Sequence, residues 1–289
     1  MNLSILIPCY NWNIYQLIFD LTKQCQEEYN TNSYEIICIE DGSTHLFENN
    51  KTSKLKNVKY QILKKNIGRA AIRNLLAQKA KFEWLLFIDC DSKIITQDFI
   101  KKYKIQSQKK QKNHIYYGQT IYQKNTLQAT ILHEKYGKKI ESKSKKNNFS
   151  SHHFLIQKKL FKKASFDETI QSYGYEDILF QIKSNFQFTY INNPLFHIGL
   201  KKTDDFLKDC ESGLKNLCNY TEEKDVIQKI KILKWWKQLS LIHYLILMLF
   251  ICLQENIIKN LKSKQPSLLL FQFYKLGLLI KLKRDSIKN

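Results

Sequence analysis

Short apolar runs alternate with stretches of helical period over the first half of the chain. Residues 3–7 form an apolar run that stops at Pro8, residues 14–25 space their apolar positions as a helix does, and residues 34–39 form a second run closed by Glu40-Asp41-Gly42-Ser43. Residues 58–63 read as a short strand, 69–80 as a helix, and 84–88 as a strand that runs into Asp89-Cys90-Asp91. Brief apolar runs bounded by turn residues favour buried strands, and longer stretches with a 3.6-residue period favour helices. The same reading predicts helices over 97–106 and 176–183 and strands over 114–122, 154–156 and 188–191. Strands separated by helices need crossover connections, which predicts a mostly parallel sheet covered on both faces. From about residue 203 the pattern is helical.

In such a sheet, ligands sit beyond the carboxyl ends of the strands. Pro8 to Asn11, Glu40 to Ser43 and Asp89 to Asp91 all fall at such ends, so three polar clusters converge on one edge. Two carboxylates placed two positions apart repel unless a cation lies between them. Mg²⁺ is commonly held by one or two carboxylates together with substrate phosphates. Asp89 and Asp91 therefore suggest a metal-bridged diphosphate, although the pair alone reads equally well as a turn.

Charge adds a second layer. The 289 residues carry a net charge of +21, unevenly spread. Residues 101–150 hold 13 basic and 2 acidic groups, residues 226–289 hold 12 and 2, and the rest is near balance. Two concentrated basic segments point to an anionic partner surface, nucleic acid or lipid. Arginine is used only at 69, 73 and 284. Two of the three share one short segment, where a planar fork for phosphate or carboxylate oxygens is called for; a helix-surface salt bridge is the plainer alternative.

Residues 123–150, rich in Lys, Ser and Asn, are expected to form a mobile basic loop or insertion. In the tail, residues 239–253 contain only Ser240 and His243 as markedly polar positions. That falls short of the roughly 20 apolar residues of a bilayer span. Lys231, Lys234 and Lys237 precede it, Lys259, Lys262 and Lys264 follow, and residues 268–280 form a second apolar block. Such a tail is expected to lie in a membrane interface with its lysines on anionic headgroups. A helical hairpin packed on the rest of the chain is the alternative. Trp235-Trp236 reads equally as an interfacial anchor or as packing.

The seven cysteines form no Cys-x-x-Cys pair and several sit in apolar runs, as reduced thiols of a cytosolic protein do. No basic-then-apolar leader precedes the first strand, so no signal peptide is expected. His152-His153 is expected at the surface, with an acceptor contact as the sharper alternative, and Gly118 as either a close approach or a bulge.

Several segments, in order, resemble the motifs of family 2 glycosyltransferases. Ser4 to Asn11 is similar to their opening strand with its Pro-x-x-Asn ending, and Glu40-Asp41-Gly42-Ser43 to their Asp-Asp-Gly-Ser turn, with Glu40 for the first aspartate. Asn66 to Asn74 resembles their Asn-x-Gly-x-x-x-Ala-Arg-Asn helix start, with Ile72 for alanine. Asp89-Cys90-Asp91 matches their Asp-x-Asp, Phe166-Asp167-Glu168 and Gly174-Tyr175-Glu176-Asp177 their late acidic stretches, and His197 a late metal-binding histidine.

The resemblance covers about residues 1–200. It implies an α/β GT-A fold, a Rossmann-like, mixed but mostly parallel sheet with helices on both faces, over residues 1–202. A helical, partly membrane-associating extension would follow over 203–289. It implies a nucleotide-sugar site in which Pro8, Tyr10 and Asn11 shape a uridine pocket with Glu40 and Gly68, and Asp41 accepts from the uracil ring. Arg69 and Arg73 would stand near the diphosphate or support the nucleotide loop, and Asp89 would face the ribose or donor sugar. Asp91 and His197 would hold Mn²⁺ or Mg²⁺, Asp177 would be the general base, and Glu176 would hold acceptor hydroxyls. The reaction implied is an inverting, metal-dependent transfer from a UDP-linked sugar to a saccharide or lipid-linked acceptor, in cell-surface polysaccharide or glycolipid synthesis. The location implied is cytoplasmic, peripheral at the inner face of the plasma membrane. A basic protein that binds nucleic acid or membrane without catalysis is the competing reading. No RNA-binding signature, zinc-finger spacing or helix-turn-helix supports a nucleic-acid partner.

Overall fold

A computed structural model describes residues 2–109, 111–124, 127–142, 149–170 and 173–288. The chain runs β1 (Leu3–Cys9), α1 (Tyr15–Glu28), β2 (Tyr34–Glu40), β3 (Val58–Ile62), α2 (Arg69–Lys79), β4 (Trp84–Ile88), β5 (Ser92–Lys93), α3 (Phe99–Gln108), β6 (His114–Tyr117) and β7 (Thr120–Tyr122). It continues through α4 (Ile131–Tyr136), β8 (His153–Gln157), α5 (Lys158–Phe161), α6 (Glu176–Lys183), β9 (Gln187–Tyr190) and β10 (Leu195–His197). It ends in α7 (Thr203–Cys218), α8 (Lys224–Lys229), α9 (Lys231–Gln238), α10 (His243–Leu261) and α11 (Leu268–Lys288).

These elements form two compact units. The first, residues 1–123, 142–171 and 176–199, holds a seven-stranded sheet in the order β3-β2-β1-β4-β8-β6-β9. β3, β2, β1 and β4 pair in parallel, β8 is antiparallel to both β4 and β6, and β9 is parallel to β6. β2 and β4 are buried along their whole length, as central strands covered on both faces must be. Alternation along β1 divides the core. Ile5 and Ile7 pack with Ile18 and Leu21 of α1 and Phe99 of α3. Leu6 packs on the other face with Ile72 and Leu76 of α2 and with Phe154, Phe161, Phe166 and Phe180.

Two sequence expectations need correction here. β1 does not stop at Pro8 but runs to Cys9. It pairs with β4 only from Leu3 to Leu6, so past Leu6 it has β2 alone as a neighbour. A residue without an N–H is tolerated at such an edge. The predicted strand 114–122 is two strands: β6 stays in the large sheet, and β7 joins a small one of order β5-β10-β7. Gly118 lies at the switch, where a Cβ would fall 2.2 Å from the Asn193 carbonyl oxygen and 2.2 Å from the His153 ring. It is a close approach of the protein to itself, not to substrate.

The second unit comprises residues 124–141, 172–175 and 200–289. Residues 125–126 lie outside the described residues, and residues 127–141 are not the irregular loop their composition predicts. They carry α4 and a π-helical turn over Gly137–Glu141; residues 143–148 of the expected loop lie outside the described residues. Enough of α4 is apolar or aromatic to dock: the buried His133 ring stacks 4.4 Å from Phe206 of α7, and Tyr136 meets Phe271 of α11. The two apolar blocks of the tail behave differently. α11 buries Phe271, Leu278 and Leu279, and Gly277 lets the Phe250 ring of α10 approach within what would be 2.4 Å of a Cβ. Lys275, the charge that interrupts this block, is buried over the rings of Tyr136 and Phe271. α10 keeps an apolar face exposed, with Leu241 ahead of it 98% and Tyr244 74% accessible.

Gly118→Ala is expected to destabilise the fold by ~1–3 kcal/mol, because a methyl group must be forced between two backbones and a buried ring. Urea denaturation monitored by tryptophan fluorescence measures it.

Candidate functional site

The loops after β1 and β2 are built around a buried carboxylate. Glu40 is fully buried. It accepts from Tyr60 Oη at 2.8 Å, Asn49 Nδ2 at 3.1 Å, Cys9 Sγ at 3.5 Å and the Ser43 hydroxyl. The Asn11 amide donates to Ser43 Oγ at 2.8 Å, and the Asn11 side chain bonds Thr44 Oγ1 and the His45 amide. Asn11 holds φ +50°, a conformation Asn tolerates better than most residues. Glu40 thus departs from its expected place at the nucleotide: its extra methylene carries it inward, where it braces both loops. Neither Asn49 nor Tyr60 carries a sequence signal for this role; only the buried Glu reveals it.

Asp41 caps the entry to α2, accepting the amides of Ile67 (2.8 Å) and Gly68 (3.1 Å). Burial raises its pKa despite those two amides. Gly68 has φ +91°, and Gly42, at φ +61°, lies so close to the Lys65-Asn66 backbone that a Cβ would fall 2.3 Å from it. Only glycine serves at either position. Pro8 is half-buried, and Tyr10, at the mouth of β1, exposes its ring.

Beside this edge lies an ion lattice. Arg69 Nη2 and Arg73 Nη2 bind the two oxygens of Asp89 at 3.0 and 2.7 Å. Arg69 Nε and Arg73 Nη1 meet Glu176 Oε1 at 3.0 and 3.4 Å. Arg73 is only 1% exposed and its guanidinium lies over the Phe166 ring. Its guanidinium is engaged by internal partners; of the two, Arg69, with 37% of its side chain exposed, is the arginine that reaches solvent. Asp89 and Glu176 face these arginines, and both are held inside the lattice. The next residue on α2, Asn74, accepts the Phe166 amide at 3.0 Å and donates to the Phe166 carbonyl at 2.9 Å. One helix turn therefore anchors Phe166 and Glu176 to the end of β4.

Asp91 stands beyond the lattice. β5 pairs with β10, placing His197 opposite Ser92, and His197 Nε2 is 3.2 Å from Asp91 Oδ2. This pairing brings together two residues far apart in sequence. Burial works against ionisation of Asp91, but His197 beside it prevails and holds the carboxyl well below the usual range. Among the described residues no three His, Cys, Asp or Glu side chains gather with metal-ligand geometry, so the candidate is this pair. It fits a divalent ion: Asp91 Oδ1 is buried without a partner among the described residues, and a Cβ on Gly199 would lie 2.2 Å from Asp91 Oδ2. His152 and His153, expected at the surface, are buried, because His153 opens and His152 immediately precedes a strand that pairs with β4. Burial first, then the neighbouring histidine, pushes each down to about 3.

Asp177 opens α6 next to Glu176, after Gly174 and Tyr175, both with positive φ. Its Oδ1 accepts the Ile178 amide at 2.8 Å. Burial, then the charge of Glu176, raises its carboxyl to about 6, near where a general base works at neutral pH.

A largely parallel sheet with its polar clusters at the strand ends defines a nucleotide-binding α/β protein. Residues 4–169 match Glycosyl transferase family 2, more than half of the chain, and the chain belongs to that family. An "uncharacterized glycosyltransferase" of Haemophilus influenzae is 34% identical over 111 residues, which are 37% of this chain and 40% of that protein. The match thus spans well under two-thirds of that relative's length. Staphylococcus aureus TarS 1–349, solved with UDP-GlcNAc, superposes with a TM-score of 0.52 at 16% identity, covering 100% of this chain and 92% of that one. The mannosyltransferase PcManGT of Pyrobaculum calidifontis, solved with GDP-Man and Mn²⁺, superposes with a TM-score of 0.53 at 12% identity, covering 80% and 65%. These likenesses are of fold, and the fold is GT-A.

Arg73→Met is expected to cost ~3–5 kcal/mol of stability, since it leaves Asp89 and Glu176 buried with one guanidinium between them. Combining it with Glu176→Gln should recover part of the loss, read as coupling in a double-mutant cycle by chemical denaturation.

Proposed function

We propose that the protein is an inverting glycosyltransferase that moves a sugar from a UDP-linked donor to a hydroxyl of a saccharide or lipid-linked acceptor. The observation that carries this is the placement of Asp177. A half-buried carboxylate raised to about 6 adjoins Glu176, which the two arginines tie to Asp89 at the strand end. A proton acceptor is thereby held at a set distance from the nucleotide-binding edge. Tyr10, Asp41 and the loop braced by Glu40 would receive the base, with the exposed Tyr10 ring available to stack on it.

A divalent cation held by Asp91 and His197 would supply Lewis-acid neutralisation of the departing diphosphate. Asp177 takes the proton of the acceptor hydroxyl as that oxygen attacks the anomeric carbon. The attack comes from the face opposite the leaving nucleotide, so one displacement inverts the centre. General-base catalysis of this kind contributes ~10²–10⁴-fold. The lattice keeps Glu176 from competing for that proton, because its carboxylate is already engaged.

Incubation with Mn²⁺ and a panel of sugar nucleotides tests the reading. Slow donor hydrolysis or nucleotide-dependent thermal stabilisation is expected; silence toward every nucleotide would reject it, most of all if accompanied by salt-sensitive nucleic-acid binding. Asp177→Asn should lower kcat ~10²–10⁴-fold. The wild-type rate should rise as pH passes through about 6, where Asp177 loses its proton. The sign for stability is opposite. A raised folded pKa stabilises below the unfolded value and is lost as pH rises through the folded one. Asp177→Asn should therefore raise Tm at pH 8 and leave it little changed at pH 4.

The second unit supports an anionic membrane surface as partner, with the protein peripheral at the cytoplasmic leaflet. Leu241, Tyr244, Leu245, Met248 and Leu249 form an exposed apolar face along α10 and its approach. Residues 240–261 are long and apolar enough to cross a membrane by length and composition, and 22% of the window is buried. Lysines flank both ends of this helix. Lys138 and Lys139 line a cleft of about 340 Å³ with Lys264 and Pro266, so the insertion and the tail share one basic surface. An exposed apolar face between lysine clusters matches an interfacial helix on anionic lipid. Flotation with phosphatidylglycerol vesicles is expected to weaken with salt and to be lost in Leu245→Glu/Leu249→Glu; equal flotation with neutral vesicles, or none, would exclude the surface.

A further inference from the structure

The Asp91–His197 pair has a neighbour to which no role has been given. His152 immediately precedes β8, and its carbonyl accepts the Asp89 amide at 2.8 Å. Its ring is 4% exposed and lies 5.5 Å, centroid to centroid, from the ring of His197. Nε2 is 3.1 Å from Ser92 Oγ. Ser92 directly follows Asp91 and is in register with His197. Asp91, Ser92, His152 and His197 are therefore one cluster, assembled from the end of β4, β5, the start of β8 and β10.

His152 Nδ1 and Asp91 Oδ1 are both buried, with no hydrogen-bond partner among the described residues. A buried polar atom left unpaired costs ~1–3 kcal/mol. In the tautomer whose Nε2–H donates to Ser92 Oγ, the imidazole of His152 presents a lone pair at Nδ1 and accepts there. Asp91 Oδ1 is likewise an acceptor. Two buried acceptors in one cluster call for donors, which water or a hydrated cation supplies. A water in the shell of a divalent ion is such a donor, and small hard cations keep several waters when proteins bind them.

We propose that His152 is a positioning residue of the cation site: its Nδ1 and Asp91 Oδ1 together hold water of the cation's shell, and Ser92 fixes the ring in the accepting tautomer. The inference rests on the cation reading of Asp91 and His197 and adds to it a partner outside the direct ligands. Outer partners of this kind change metal affinity ~10–100-fold when removed. His152 is invisible to a motif search because its contribution comes from strand pairing with β4 and not from spacing along the chain.

Mn²⁺ titration in the presence of UDP, read by the EPR signal of free Mn²⁺, tests the proposal with two isosteric variants. In His152→Asn the amide sits near the place of Nδ1; in His152→Gln it sits near that of Nε2. His152→Gln should weaken Mn²⁺ binding ~10–100-fold while His152→Asn keeps most of it, and Ser92→Ala should shift affinity the same way as His152→Gln, but less. UDP affinity without cation should be unchanged in all three, which shows that each variant is folded. If both His152 variants bind Mn²⁺ as the wild type does, the proposal fails and the cation reading stands. If His152→Asn loses as much as His152→Gln, the ring serves packing and the proposal also fails. If the wild type itself binds no Mn²⁺, both readings fall together.

Discussion

Two guanidinium groups shared between the buried Glu176 and the half-buried Asp89 hold the site together. Asp89 ends β4 and Glu176 begins α6, and nothing in the backbone connects those points directly. Arg69 and Arg73, one turn apart on α2, each contact both. The geometry of that single turn sets the distance between the strand end and α6. A buried carboxylate is strongly disfavoured without a partner, so the lattice permits little slack: moving Glu176 away would expose a charge deficit in the interior. The two residues proposed to act, Asp91 and Asp177, lie two positions and one position beyond the lattice members. They inherit its rigidity without being consumed by its ion pairs.

This arrangement explains why arginine appears here in a chain that otherwise uses lysine. A lysine ammonium can satisfy one carboxylate well, but a planar fork reaches two at once with fixed angles. Arg73 also lays its face on Phe166, a contact that suits a guanidinium. Asn74 then ties the Phe166 backbone to the same helix. The consecutive pair Arg73-Asn74 thus works as one clamp, with the charge directed to Asp89 and Glu176 and the amide to a backbone segment.

Much of the fold was legible in the sequence, because the strands that build it are buried on both faces and read as unbroken apolar runs. β4 and α6 fall where the pattern puts them. The failures have physical causes. Pro8 misled at the end of β1, where a missing N–H matters less than in a central ladder. The 114–122 run hides a change of sheet that only the Gly118 contact discloses. The lysine-rich stretch after 123 forms a short helix because His133 and Tyr136 find aromatic partners far along the chain. Within the site, the motif residues were legible as a set but not by direction. A sequence does not tell whether Glu40, Asp89 or Glu176 points toward a ligand or into the protein, and all three point inward.

That inward turn bears on how such a site tolerates change. Glu40 stands where the family motif has aspartate, and its extra methylene would crowd a bound nucleotide if it pointed outward. Directed inward it accepts from Tyr60, Asn49, Ser43 and Cys9, so one side chain braces two loops. Asp41, next to Glu40, accepts the Ile67 and Gly68 amides, while the Tyr10 ring stays exposed. The same logic runs through the site: carboxylates that are buried and fully engaged set the positions of the few that are left to meet a ligand.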